Sequence, residues 1–208
     1  MKVLTNSLIA VFLLLATASL VVRYKEESDL KVAKNSNNVK GITVTTRGII
    51  NLSEIKFKVH PEKRIPKTNN WGTIANFKVR NQQTGKIYLE QSPTTNNQGQ
   101  GIIYPTPTEV IPPGNHTVLI KGISHLAKRY DNVGFEHQSE YFDFTPYGDL
   151  LAGDTHPSND NFINALDIST LIGKLSTDDY KNDLNQDKQV NSLDLSNQIF
   201  NLSKSGDF

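Results

Sequence analysis

The sequence predicts a mainly β protein, in which an antiparallel β-sandwich precedes a small helical tail and follows a hydrophobic N-terminal helix. Three observations carry this expectation. Short runs of alternating apolar and polar residues recur over 41–147, separated by turn signals and without amphipathic helices. After Gly148 the alternation stops, and two acidic loop-and-helix units follow. Before Arg23 lies an uncharged run of fifteen residues, 8–22.

That run follows Met1-Lys2. It is short for a span of about 20 residues but long enough for the apolar region of an export signal. Ala16-Thr17-Ala18 is a small-x-small cleavage pattern, whereas the apolar continuation through Val22 favours a retained anchor. Residues 1–23 are therefore read as a signal sequence or membrane anchor. This implies an extracellular or cell-surface protein that meets the membrane through this segment alone. Residues 24–40, "YKEESDLKVAKNSNNVK", are polar and lack an apolar period, as a tether would.

Over 41–147, Ile42 and Val44 alternate with threonines, and Ile55, Phe57 and Val59 alternate with Lys56 and Lys58. Ala75, Phe77 and Val79 repeat the pattern, and a turn through Gly85 leads into Ile87 and Leu89. "IPPGNHTVLIKGI" supplies a Pro-Gly turn and a strand through Val118 and Ile120, while Phe142 and Phe144 mark the last strand. "TTNNQGQG" reads as a polar loop. Short strands between turn signals indicate a sandwich of the immunoglobulin-like kind.

The charge is unevenly spread. Residues 151–208 hold nine Asp and four Lys, a net of −5, so the total of +1 leaves +6 on residues 1–150. Neither part carries the basic footprint of a nucleic-acid binder. Cysteine is absent, which excludes disulfide frameworks and thiolate sites. The histidines, His60, His116, His125, His137 and His156, fall in no metalloprotease spacing, and no nucleophile elbow or phosphate-cradling glycine loop occurs. Glu136 and Glu140 read as surface charge rather than a glycosidase pair, so the chain is expected not to be an enzyme. Trp71, Tyr88 and Tyr104 are the side chains that could stack on a polysaccharide, with a core role for Trp71 the simpler reading.

The tail, 148–208, is a duplication. Asn164, Leu166, Asp167, Ser169, Ile172 and Leu175 recur twenty-seven residues later as Asn191, Leu193, Asp194, Ser196, Ile199 and Leu202. Ile168, Leu171, Ile172 and Leu175 share one helical face, as do Leu195, Ile199 and Leu202, so the two helices are expected to cover each other. Ile172 and Ile199 should be buried between them, with Lys174, Asn197 and Gln198 exposed. Calcium takes six to eight oxygen ligands, and a twelve-residue loop supplies them from places one, three, five, seven, nine and twelve. In "DLNQDKQVNSLD" these are Asp183, Asn185, Asp187, the Gln189 carbonyl, Asn191 and Asp194, with Val190 turned inward to tie the loops together. In the first copy Asp160, the Phe162 carbonyl, Asn164 and Asp167 take places five, seven, nine and twelve. Place one falls on His156 by plain counting, or on Asp154 if two residues are inserted. Place three falls on Ser158 or Asn159.

The duplicated loop–helix pair, with Asp rather than Glu at place twelve, resembles a dockerin module of paired F-hand loops, over roughly 151–202. The resemblance implies a small α-helical domain, two bound Ca2+ ions and docking through the helices onto a cohesin-like domain of another protein. The sequence departs from it at place six, where Asn161 and Lys188 replace the usual Gly, and at Ala165-Leu166 and Ser192-Leu193, where a Ser-Thr pair is common. The expectation is a non-catalytic, exported, calcium-binding protein that serves surface adhesion or assembly. Two alternatives stand beside it: a tail that caps its own sandwich, and a sandwich that binds polysaccharide.

Overall fold

The alternation over Glu54–Lys58 becomes a strand because Ile55 and Phe57 fall on one face and Lys56 and Lys58 on the other. In the computed structural model, which describes residues 52–64 and 70–208, seven strands form two sheets. β1 (Glu54–Lys58) is the centre of a three-stranded sheet of order β4-β1-β7, pairing antiparallel with β4 (Gln100–Ile103) and parallel with β7 (Ser139–Asp143). The second sheet runs β3 (Ile87–Gln91), β2 (Ala75–Arg80), β5 (Gly114–Gly122), β6 (Lys128–Phe135), all antiparallel. The sheets close on Ile55, Phe57, Phe77, Val79, Leu89, Val118 and Ile120, with Phe135 and Phe144 filling one side. Phe57 of one sheet meets Phe77 of the other at 4.9 Å between ring centroids. Each such buried ring stabilises the fold by about 1.5–3 kcal/mol relative to an exposed one. The expected two-sheet sandwich is present. The expected strand through Ile42 and Val44, the tether and the N-terminal hydrophobic helix lie outside the described residues.

Two strands escaped the sequence reading. β4 carries Gly101 on its inward face, where an added Cβ would lie 2.3 Å from the Phe57 ring. The inward residue is glycine because Phe57 fills its place, and a glycine leaves no apolar signal. β6 buries Tyr130 and Phe135, five residues apart. A register shift opposite His116 and Val118, with Asn132 at φ 58°, inserts one residue and breaks the period of two.

The tail is mostly loop, with helix confined to α1 (Ala165–Ile172) and α2 (Ser192–Phe200). The repeat extends to the backbone. Positive φ recurs at the same offset in Asn159 and Gln186, Asn161 and Lys188, and Ser176 and Ser203. Holding Lys188 there costs roughly 1 kcal/mol, whereas asparagine tolerates it better. The expected mutual burial of the helices does not form. Leu171 is fully buried beside Ala152, Leu184 and Val190, with Leu195 packed against them, but Ile172, Leu175, Ile199 and Leu202 remain exposed. Gln198, expected at the surface, is fully buried. Val190 does turn inward, yet it pairs with the segment after α1, its N–H donating to Thr177 O and its carbonyl accepting from Ser176. Ile163 pairs likewise with Ser203 and Lys204 after α2.

What covers the tail is the sandwich. The described residues belong to one compact unit. Asn201 Nδ2 donates to the buried Glu62 carboxylate and to Ala152 O at 2.9 Å. Within the tail, Gln198 Nε2 donates to Gly153 O (2.8 Å) and Thr155 Oγ1 (2.9 Å), which ties α2 to the segment that follows the sandwich. Ser124 Oγ donates to Lys181 O at 2.6 Å, and Leu126 N–H to Leu151 O at 2.8 Å. Buried polar groups need such partners, so this seam is specific as well as close.

Candidate metal centres

Both acidic loops end in a helix N-terminus, and the side chains at places nine and twelve serve that helix. Asn191 Oδ1 accepts from Leu193 N–H at 2.7 Å, and Asp194 Oδ2 accepts from Asn191 N–H at 2.9 Å, a reciprocal capping box. Asn164 and Asp167 repeat it on α1 with bonds of 2.7 and 2.9 Å. The other oxygen of each aspartate reaches back to the loop's start: Asp194 Oδ1 accepts from Asn185 N–H (3.1 Å), and Asp167 Oδ1 accepts from Thr155 and His156 (2.9 and 2.8 Å). Asp167, Asp194 and Asn185 are wholly buried.

In the second loop Asp183 Oδ2 accepts from Lys188 N–H (2.8 Å), Asn185 Oδ1 from Asp187 N–H (2.9 Å), and Asp187 Oδ1 from Gln189 N–H (3.1 Å). Asn185 Nδ2 donates to Asp187 Oδ2 at 3.0 Å, and Asn191 Nδ2 donates to Gln189 O at 3.1 Å. Asp183, Asn185, Asp187, Gln189, Asn191 and Asp194 are thus gathered around one turn. Burial pushes the Asp183 carboxyl above its usual range, with the charges of Asp194 and Asp187 adding to the rise. Mutual repulsion of this kind is what a bound cation relieves.

The first loop follows the same hydrogen-bonding plan. Asn161 N–H donates to Asp154 Oδ2 at 3.0 Å, as Lys188 does to Asp183, so Asp154 is the counterpart of Asp183. The bond that Asn185 makes to Asp194 is matched by His156 to Asp167, which puts the two inserted residues, Pro157 and Ser158, after His156. Ser158 Oγ lies 2.7 Å from His156 Nδ1, and Asn159 shares its positive φ with Gln186 at place four. Phe162 N–H donates to Asp160 Oδ1 at 3.1 Å, as Gln189 does to Asp187.

Asp154 is fully buried, and burial pushes its carboxyl up despite the Lys121 ammonium on Oδ2. Its other oxygen, Oδ1, is buried without a hydrogen-bond partner. A carboxylate oxygen in that position calls for a cation, and the surrounding oxygens are of the kind calcium prefers. Among the described residues no group of three or more His, Asp or Glu side chains is poised to hold a metal by itself. The donor set here draws also on Asn amides and on the Phe162 and Gln189 carbonyls.

The other candidates are engaged elsewhere. Glu140 Oε1 accepts from the Glu136 and His137 N–H groups, both at 2.7 Å, which holds a turn. Trp71 stacks at 4.2 Å on His60 with the Lys58 ammonium 5.5 Å from its ring, and Tyr88 meets His116 edge-on at 5.4 Å. Of the three aromatics that could stack on a sugar, Tyr104 is the widely exposed one.

No protein-family profile matches the chain. No curated protein matches it either. Similar solved structures include two interface mutants of a type II cohesin–X-dockerin complex from Acetivibrio cellulolyticus. The N-terminal interface mutant matches at 21% identity and a TM-score of 0.50, and the C-terminal one at 20% and 0.49. Each match covers 74% of this chain and 97% of the matched chain. At that identity the likeness shows the fold alone, a mainly β architecture. The assignment of 148–208 to the dockerin family is accordingly corrected. Helix among the described residues is short, 8 residues in α1 and 9 in α2, in a structure that is mostly β. The segment is also no free-standing helical module, since the buried Asn201 and the Lys181 carbonyl find partners outside it, in Glu62 and Ser124. Part of the spacing that suggested the family has a local cause, because Asn and Asp three residues apart are what the two capping boxes require.

Proposed function

We propose that the chain is a non-catalytic, exported protein-interaction module whose tail is a calcium-stabilised cap on the sandwich and presents the surface that a protein partner reads. One observation carries the partner reading. The repeat-related residues Leu166 and Leu193 are 54% and 52% exposed, and Ile172 and Ile199 are each 51% exposed. Large apolar side chains left out of the core, at equivalent places in both copies, match the demand of an interface rather than of folding. Phe200, 66% exposed, adds to them. The same cap reading explains why α2 ends in a polar Asn201 buried against Glu62 of the body while the helices turn isoleucine outward.

The calcium reading rests on the donor chemistry of the two loops and on the orphaned Asp154 oxygen. Asp154, Ser158 with His156, Asp160, Phe162, Asn164 and Asp167 would hold one ion. Asp183, Asn185, Asp187, Gln189, Asn191 and Asp194 would hold the other. Export and membrane attachment rest on the sequence of residues 1–23.

The test is capture from the native cell envelope by immobilised full-length chain. Ile172→Glu with Ile199→Glu should abolish capture of a discrete protein and leave calcium affinity within about twofold, because these exposed places lie outside the twelve-residue loops and such changes are nearly neutral. Unchanged capture by that variant would refute the interaction surface. Retention that is instead competed by free polysaccharide would favour the sugar-binding alternative through Tyr104.

A further inference from the structure

The two loops differ in one respect that their sequences do not show. In the first, the Lys121 ammonium, carried on β5, binds Asp154 Oδ2 and lies 3.3 Å from Asn161 Oδ1. Asn161 in turn joins three parts of the chain. Its Oδ1 accepts from Ala127 N–H (2.7 Å), its Nδ2 donates to Asp207 O (2.9 Å), and its own carbonyl accepts from Gly206 N–H (2.9 Å). Gly206 is required there, since an added Cβ would lie 2.3 Å from Asn161 Oδ1. Asp207 Oδ2 then accepts from Arg129 N–H of β6 at 2.8 Å. At the matching place in the second loop Lys188 is exposed, and among the described residues none of Asp183, Asp187 or Asp194 forms an ion pair. Arg64 feels the charge of Asp183 without pairing with it. Among the described residues, the second loop meets the body through Asn70 Nδ2, which donates to the Gln186 carbonyl at 3.2 Å.

We propose that Lys121 is a resident counter-cation for the first loop, holding Asp154 and the seam in place when no divalent ion is bound. The proposal rests on the cation reading of the loops and adds an order to it: the first loop keeps its shape without calcium, and the second gains its shape from calcium. The arrangement allows this because the ammonium occupies Oδ2, on the side of Asn161 and the body, and leaves Oδ1 for an ion. One positive charge against the three carboxylates of Asp154, Asp160 and Asp167 lowers their repulsion without filling the loop. The sandwich and the first loop then remain joined whatever the calcium level, and calcium-dependent ordering is confined to the second loop and α2.

The experiment is amide hydrogen exchange on the full chain, with excess chelator or with calcium. Asn161 and Phe162 report the first loop, because their N–H groups donate to Asp154 and Asp160. Lys188 and Gln189 report the second, where they donate to Asp183 and Asp187. In chelator, Asn161 and Phe162 should stay protected at least about tenfold more than Lys188 and Gln189. Lys121→Met should erase that difference, Lys121→Arg should preserve it, and calcium should protect all four amides in every variant. Protection at Phe77 and Val79 of β2 verifies that each variant keeps its sandwich. Equal loss in both loops of the native chain, or first-loop protection that survives Lys121→Met, would overturn the proposal. Calcium without effect on any of the four amides would instead refute the cation reading beneath it.

Discussion

Replacing Asn201 with alanine probes the seam where sandwich and tail share a polar contact. Asn201 is fully buried, and its amide makes two bonds to residues remote in sequence, one to the Glu62 carboxylate and one to the Ala152 carbonyl. A hydrogen bond to a charged group contributes about 1.5–3 kcal/mol and a neutral one about 1. Glu62 would keep the Ala152 N–H at 3.1 Å and Lys63 at 3.5 Å, so its carboxylate is not wholly stranded. The expected loss is therefore about 2–4 kcal/mol, which for a chain of this size lowers Tm by roughly 5–15 °C. Urea denaturation of the full chain at saturating calcium is the assay, since fixed occupancy removes the contribution of binding to apparent stability. One cooperative transition, shifted to lower urea, is expected. A change below about 0.5 kcal/mol, or a separate early transition that leaves the sandwich untouched, would refute a tail built into the body.

Two further outcomes follow from the loops and the seam. Asp194→Ala should weaken calcium binding at the second loop by at least about tenfold while Asp178→Ala leaves it unchanged, because Asp194 is buried in the loop and Asp178 is exposed between the copies; equal affinities by titration calorimetry would show that the register is misread. His125 is fully buried, and burial first, then the nearby charges of Arg64 and Lys121, hold its imidazole well below the usual pKa of 6.5. It is neutral in the folded chain, and the unfolded chain takes up a proton that the folded one does not, so stability falls as pH drops below about 6.5, by roughly 1.4 kcal/mol per pH unit. His125→Leu should flatten that slope between pH 6.5 and 5; an unchanged slope in urea denaturation would refute the assignment.

The sequence made β1, β2 and β5 legible because each carries apolar residues two apart, facing a core that burial then confirms at Phe57, Phe77 and Ile120, whereas in β3 only Leu89 of the Ile87–Leu89 pair is buried and in β7 the buried Phe144 lies just past the strand. β4 and β6 were illegible for opposite reasons, a glycine facing an aromatic ring in one and an inserted residue in the other. The acidic loops were legible as local spacing, including the need for positive φ at Asn161 and Lys188. What local spacing could not show was which surface would cover the helices. Apolar residues at helical intervals signal a covered face but do not distinguish an intramolecular cover from a partner, and here the body claims Asn201 and the tail's own start claims Gln198, while Ile172 and Ile199 stay outside. Lys121 and Glu62 were missed because the contacts that matter, to Asp154 and Asn201, cross 33 and 139 residues of chain.

Calcium titration calorimetry on the full chain, with hydrogen exchange of the loop amides recorded on the same samples, tests the central claim most directly. The account predicts about two calcium ions per chain, selected over zinc and magnesium because the donors are oxygens in a flexible loop, with added protection at Lys188 and Gln189. No heat of binding, or zinc preferred over calcium, would contradict it.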